Sequence, residues 1–312
     1  MRWILPILLT AAAVAQKPAE EATIKVDVDV VSVYCSVRDK KGGFIKNLDK
    51  SDFTILEDGK QQPIKYFSRE TNVPLTIGLL VDTSKSQEAL IESERRAASA
   101  FFQSVLREKD MAFLIQFGAE AELLQDYTNS VRLLRQGLNA LRLNAPAGPP
   151  PTIASTPGTL PSKVRGTILF DAVYLAAAEK LKGEVGRKAI VLITDGMDYG
   201  SRVKLQEAVA ASHKSDVVIY SIYYADSRFG YFASDGDLRK MSEETGGRVF
   251  HVRGRYGLED IFKEIQDEMR STYTVGYSPT NAARDGAFRK IEIRASNKDH
   301  KVQARKGYYA AK

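Results

Sequence analysis

The sequence predicts a mixed α/β protein: a doubly wound, mainly parallel sheet flanked by helices, joined to a small β module built from N- and C-terminal strands. Three observations carry this prediction. Between residues 73 and 272, short apolar strands alternate with helical patterns, as in a parallel sheet covered on both faces. Outside that span, residues 22–70 and 273–312 hold strand patterns only. With 312 residues, 44% hydrophobic and 27% charged, the chain is long and apolar enough for a sizeable core.

The chain opens MRWILPILLTAAAVAQ: one basic residue, Arg2, an apolar run from Trp3 to Val14, then small residues. That order predicts a signal peptide over residues 1–15, and the run is too short to cross a bilayer as a helix. Export is therefore expected, to the periplasm, the cell surface or the medium, with no integral membrane segment after cleavage. Cys35 is the single cysteine, so no internal disulfide is available, and its context VSVYCSV predicts packing.

Residues 22–70 begin with TIKVDVDVVSVYCSV, which alternates Ile24, Val26, Val28 and Val30 with other residues and then turns continuously apolar. Gly42 and Gly43 supply a turn, and Asp58-Gly59 turns a hairpin within FTILEDGKQQPIKYF. In the central span, LTIGLLVD predicts a strand and residues 87–106 a helix with Leu90, Ile91, Ala97, Ala98, Phe101, Phe102 and Val105 at helical spacing. MAFLIQFG and AELLQDYT predict a hairpin near Gly118, and SVRLLRQGLNALRL a helix capped by Asn129 or Ser130. LFDAVYLAAAEKLK, VKLQEAVAASHKS, DLRKMSEETG and LEDIFKEIQDEM predict further helices, and KAIVLITDG, VVIYSIYY and RVFHV strands between them. TYTVGYSP, FRKIEIRAS and HKVQARKGYY are the C-terminal strands. Each end has too few strands for its own core, so the two are expected to pair; separate hairpins are the alternative. Residues 144–166 hold most of the prolines and predict a long loop.

The net charge of +6 comes from 45 basic and 39 acidic residues, interspersed along the chain. Nucleic-acid surfaces cluster their basic residues, so no nucleic-acid partner is expected. There is no GxxxxGK[ST] or GxGxxG turn, and no nucleophile with an evident base. His213, His251 and His300 lack metal spacing and are expected to be satisfied surface or core histidines. Tyr220, Tyr223 and Tyr224 are expected to pack.

The chemistry gathers elsewhere. Asp82 ends the first buried strand, with Ser84 and Ser86 following at alternate positions. Asp195 ends a second strand in Thr194-Asp195-Gly196, and Thr167 closes the proline-rich loop before a helix. Ligands of open α/β sheets bind beyond the carboxyl ends of the strands, so these three segments are expected at one edge. Two carboxylates and three hydroxyls form an all-oxygen set, which suits Mg²⁺ before Ca²⁺ or Mn²⁺; zinc prefers His or Cys. With few negative charges around it, such a cation can accept a carboxylate from another molecule. Helix capping is the competing role for all five residues. Asp171 and Asp198 are expected to face solvent or to sit behind the ligands.

The ordered set DTSKS after a strand, GT before a helix and TDG after another strand resembles the von Willebrand factor A domain and its metal-ion-dependent adhesion site. The resemblance covers residues 73–272 and implies the corresponding Rossmann-like fold. It also implies direct metal contacts from Ser84, Ser86 and Thr167, with Asp82 and Asp195 acting through water or from behind the ligands. The flanks VRDKKGGFIKNLDKSDFTILEDGKQQPIKYF and TYTVGYSPTN are similar to an exported subfamily common in acidobacteria. Lys85 between the serines, and the many prolines before Thr167, depart from the family pattern.

The implied function is a non-enzymatic, exported binding module that presents Mg²⁺ to an Asp or Glu carboxylate of a protein partner. One alternative is a metal-dependent hydrolase or phosphatase using Asp82, although Ser84 stands where such an enzyme needs a second acid. The other is a structural envelope scaffold with a vestigial metal site.

Overall fold

The computed structural model describes residues 30–69, 73–144, 166–225 and 234–312. The expected leader and nearly all of the expected proline-rich loop lie outside the described residues. Four strands come first: β1 (Val31–Arg38), β2 (Phe53–Glu57), β3 (Lys60–Gln62) and β4 (Ile64–Ser68). The central run opens with β5 (Leu75–Asp82), α1 (Ile91–Val105), β6 (Met111–Phe117), β7 (Ala121–Thr128) and α2 (Val131–Asn139). It continues through α3 (Leu169–Leu175), β8 (Arg187–Thr194), α4 (Leu205–Lys214) and β9 (Val217–Tyr223). It closes with α5 (Gly236–Thr245), β10 (Val249–His251) and α6 (Leu258–Arg270). Then come β11 (Thr272–Tyr277), β12 (Phe288–Ala295), β13 (Lys301–Ala304) and β14 (Gly307–Tyr309).

The central sheet has the order β10-β9-β8-β5-β6-β7. All neighbours are parallel except β6 and β7. Strand β5 therefore has β6 on one side and β8 on the other, and the crevice at the carboxyl ends of β5 and β8 is the topological switch point. Every residue of β5 is buried, because helices cover both faces. Ile77, Leu79 and Val81 pack in the cluster that includes α1, α2 and α6. Leu80 points into the cluster of α3, α4 and α5. Gly78 admits the Phe113 ring: a Cβ there would lie 2.4 Å from Phe113 Cζ. Phe101 of α1 stacks on Phe262 of α6 with ring centres 4.5 Å apart, joining the two helices over the sheet.

Two antiparallel sheets draw strands from both ends of the chain, in the orders β13-β1-β11-β4 and β14-β12-β2-β3. They share one apolar cluster that includes Val33, Cys35, Ile55, Tyr273, Val275, Tyr277 and Ile291. Arg38 of β1 ties this region to α6, 2.8 Å from Glu264 and 2.6 Å from the almost fully buried Glu268.

Several element expectations are corrected. The hairpin through FTILEDGKQQPIKYF splits at Pro63, which has no N–H for a ladder; β3 stays with β2 while β4 joins the other sheet. HKVQARKGYY divides in the same way, into β13 and β14 of different sheets. The helix expected from residue 87 begins at Ile91, preceded by a tight 3₁₀ turn over Lys85–Gln87. Helix α3 passes into a π turn over Ala176–Lys180 instead of continuing regularly.

Candidate metal centre

Strand β5 delivers Asp82 to the switch point fully buried. One carboxylate oxygen accepts the Ser84 amide at 2.9 Å and the other accepts Thr194 Oγ1 at 2.6 Å. The chain then turns sharply, because the Thr83 amide donates to the Phe117 carbonyl at 2.7 Å and the Thr83 carbonyl accepts from the Asn144 amide at 2.8 Å. This holds Ser84 and Ser86 on the rim, with their hydroxyl oxygens 3.1 Å apart. Ser86 Oγ donates to Asp195 Oδ2 at 2.6 Å.

Asp195 follows β8 directly, and Gly196 makes the turn after it with φ +82°. A side chain at Gly196 would also meet the Ser234 carbonyl at 2.0 Å, so only glycine fits there. Thr167 enters from a third segment. The Ile168 amide donates to the Gly118 carbonyl, and the Thr167 carbonyl accepts the Tyr199 and Gly200 amides, each at 3.0 Å.

Ser84, Ser86, Thr167 and Asp195 line one cleft of about 250 Å³, together with Asn144 and Tyr199. Asp82 does not line it; it lies behind, holding the Ser84 amide and the Thr194 hydroxyl. Helix capping does not use the hydroxyls. Ser84 precedes the 3₁₀ turn without a side-chain cap bond, and Ile168, not Thr167, occupies the cap position of α3. Lys85 also lines the cleft, and its ammonium is paired with Glu88 at 2.7 Å.

Asp171 and Asp198 have a different task from facing solvent. Asp171 accepts the Arg202 and Val203 amides at 2.9 and 2.8 Å, and Asp198 accepts the Phe170 amide at 3.1 Å. They fasten the start of α3 to the loop after β8. Of the histidines, His251 meets Asp235 at 2.8 Å and His300 meets Asn297 at 3.1 Å. His213 departs from its expectation: it is buried, and beyond an approach to the Gly307 backbone neither ring nitrogen has a partner.

The electrostatics of the centre favour a cation. Burial first, and the nearby Asp195 charge second, push the Asp82 carboxyl up to about 7 despite hydrogen bonds from Ser84 and Thr194. Glu94 of α1 is also fully buried, with both oxygens unpartnered, and burial and the Asp82 charge raise its pKa well above the usual range. Gln87 is buried with both polar side-chain atoms unpartnered. A divalent cation at the cleft would offset this accumulation of buried acid, so the donor set fits one. Among the described residues no group of three or more His, Cys, Asp or Glu is placed to hold a metal. The expected set, with two acids and three hydroxyls, is of another kind.

Thr194, Gln87 and Glu94 are the residues that sequence reasoning missed. Glu94 left a signal: it stands between Ile91 and Ala98 on the apolar stripe of α1, where an acid is out of place.

A sheet of this order, covered by helices on both faces and carrying an oxygen-lined cleft at its switch point, has a von Willebrand factor A-like fold. No protein-family model matches the chain, and no curated protein matches it. Solved structures similar to it include an aerotolerance-related membrane protein from Bacteroides fragilis, 18% identical, covering 62% of this chain and 98% of that one, with TM-score 0.45. Proximal thread matrix protein 1 of the mussel byssus, with a zinc-occupied MIDAS motif, is 14% identical, covering 68% of this chain and 49% of its own, with TM-score 0.49. A von Willebrand factor type A protein from Catenulispora acidiphila is 10% identical, covering 91% and 74%, with TM-score 0.46.

Proposed function

We propose that the protein is an exported, non-enzymatic binding module whose cleft holds a divalent cation, Mg²⁺ before Ca²⁺ or Mn²⁺. Ser84, Ser86 and Thr167 are its direct oxygen ligands, Asp195 supports it through water, and Asp82 supports it from behind the cleft by holding the Ser84 amide and the Thr194 hydroxyl. When bound, the cation supplies a Lewis-acid position for an Asp or Glu carboxylate of a protein partner. The observation that carries this reading is the chain of contacts Ser84–Ser86–Asp195 at 3.1 and 2.6 Å, in a cleft that Thr167 also lines.

This chain's own residues do the positioning. Asp82 fixes the Ser84 amide and, through Thr194, the start of the second loop. The buried placement of Asp82, with both oxygens engaged, disfavours a nucleophilic role and with it the hydrolase alternative. Export rests on the leader pattern of residues 1–15. Among the described residues no helix is long and apolar enough to cross a membrane. Residues 22–70 and 273–312 serve as one accessory module beside the binding domain of residues 73–272.

Calorimetry of the mature protein with Mg²⁺ and Mn²⁺ tests the site. Saturable binding tighter than millimolar, lost in Asp82→Ala, is expected. Equal binding by that variant, or none by the parent, rejects it. Capture of an acidic peptide partner that disappears on chelation separates the binding module from a scaffold with a vestigial site.

A further inference from the structure

We propose that a second cleft, at the opposite edge of the central sheet, binds a small solute carrying a phosphate or carboxylate group. Helix α4 ends at Lys214 and leads into the start of β9, whereas Asp82 and Asp195 lie at the carboxyl ends of the parallel strands β5 and β8. The cleft of about 800 Å³ lies between the end of α4, the start of β1 and the segments around β14. That volume is in the range of small-molecule sites.

Buried polar atoms without complete partners line this one cleft: the ring nitrogens of the buried His213, and Oγ of Ser278 and Nε of Arg305 on two half-buried residues. Buried polar atoms are nearly always paired, so their gathering in one concavity marks a place where a ligand or ordered solvent completes them. His213 is 5% exposed, and its ring sits edge-on to Phe288 and Tyr309. Burial, with Arg305 adding to the effect, lowers its pKa to about 4, while Asp216 and the Gly307 backbone oppose the drop. The imidazole is therefore neutral at physiological pH, with one N–H for which the Gly307 backbone and a ligand compete.

The charge around it selects an anion. Lys214, Arg284, Arg289 and Arg305 line the cleft, and Asp216 is the only acid among the lining residues. Asp216 is already engaged by Arg305, which also donates to the Ser32 carbonyl at 2.8 Å. Arg289 is committed to the Asn281 carbonyl at 2.6 Å and to Glu57 at 3.6 Å. Lys214 lies over the Tyr309 ring at 5.1 Å, and no acid among the described residues pairs with it. An ammonium, a hydroxyl, a guanidinium N–H and an imidazole N–H are donors that an oxyanion accepts together. A cation would find no free carboxylate here.

With three histidines in the chain, the His213 ring can be followed by NMR of ¹⁵N-histidine-labelled full-length protein. Inorganic phosphate, glucose 6-phosphate, glucuronate and glucose are the probes. Saturable movement of the His213 ring signals with the anionic probes, but not with glucose, is expected. Lys214→Met is expected to weaken that binding about tenfold or more, and Ser278→Ala to weaken it as well. Ser86→Ala should leave it unchanged, which keeps this site independent of the metal centre. No saturable response to any anion, an equal response to glucose, or unchanged affinity in both Lys214→Met and Ser278→Ala overturns the proposal.

Discussion

Ser86 Oγ donates to Asp195 Oδ2 at 2.6 Å, joining the loop after β5 to the loop after β8 across 109 residues of sequence. Ser86 is half-buried and packs no apolar core, so its hydroxyl serves the cleft more than the fold. Ser86→Ala is expected to lower Mn²⁺ affinity about tenfold or more, which corresponds to about 1.4 kcal/mol. The unfolding midpoint of the metal-free variant should stay within about 4 °C of the parent. Calorimetry and a thermal melt check both halves.

Asp82 gives the metal-free protein a pH dependence of known sign. Its folded pKa of about 7 lies above the ordinary 3.8, so the folded state keeps a proton that the unfolded chain releases. The stabilisation from that proton is complete below the unfolded value and is lost as pH rises through the folded one. In chelator, the protein is expected to resist urea better at about pH 5.5 than at about pH 8. Asp82→Asn should flatten that slope, and an unchanged slope would contradict the assignment.

Gly196 combines a left-handed backbone with a 2.0 Å approach of the Ser234 carbonyl to its Cβ position. Gly196→Ala is expected to cost roughly 1–3 kcal/mol in urea unfolding. Because the turn also sets Asp195, cation affinity should fall with it.

Glu94 is a buried acid without a hydrogen-bond partner. Glu94→Leu removes that group from an apolar helix face, and a gain of roughly 1–3 kcal/mol is expected for the metal-free protein. A loss of stability would show that the carboxyl is used.

Cys35 is 1% exposed, and burial pushes its thiol up to about 12 against the opposing charge of Arg187. Alkylation needs the thiolate. Iodoacetamide at about pH 8 is expected to label the folded protein negligibly and the urea-unfolded chain fully.

The central architecture was legible because its signals are periodic. LTIGLLVD and KAIVLITDG could only be buried strands, and the acids that end them fall at the switch point for that reason. The same reading overran wherever a strand changed sheets: Pro63 states its break plainly once the missing N–H is considered, whereas the division of HKVQARKGYY leaves no comparable mark. Placing Asp82 behind the cleft, and not in it, requires knowing that Thr194 and the Ser84 amide take both its oxygens. The cleft beside His213 was invisible for a different reason. It is assembled from the end of α4, the start of β1 and the segment around Ser278, which no local pattern connects.

The pairing of Cys35 with Tyr273, and of Val37 with Val302, also fixes an order of events in the cell. A ribosome adding roughly 5–20 residues per second needs on the order of 10–50 s to travel from the first strand to its partners. Throughout that interval β1 is a bare apolar ribbon with both edges open. Completion of its sheet must wait for the last strands, so the core shared by these two sheets closes only after nearly the whole chain has been made.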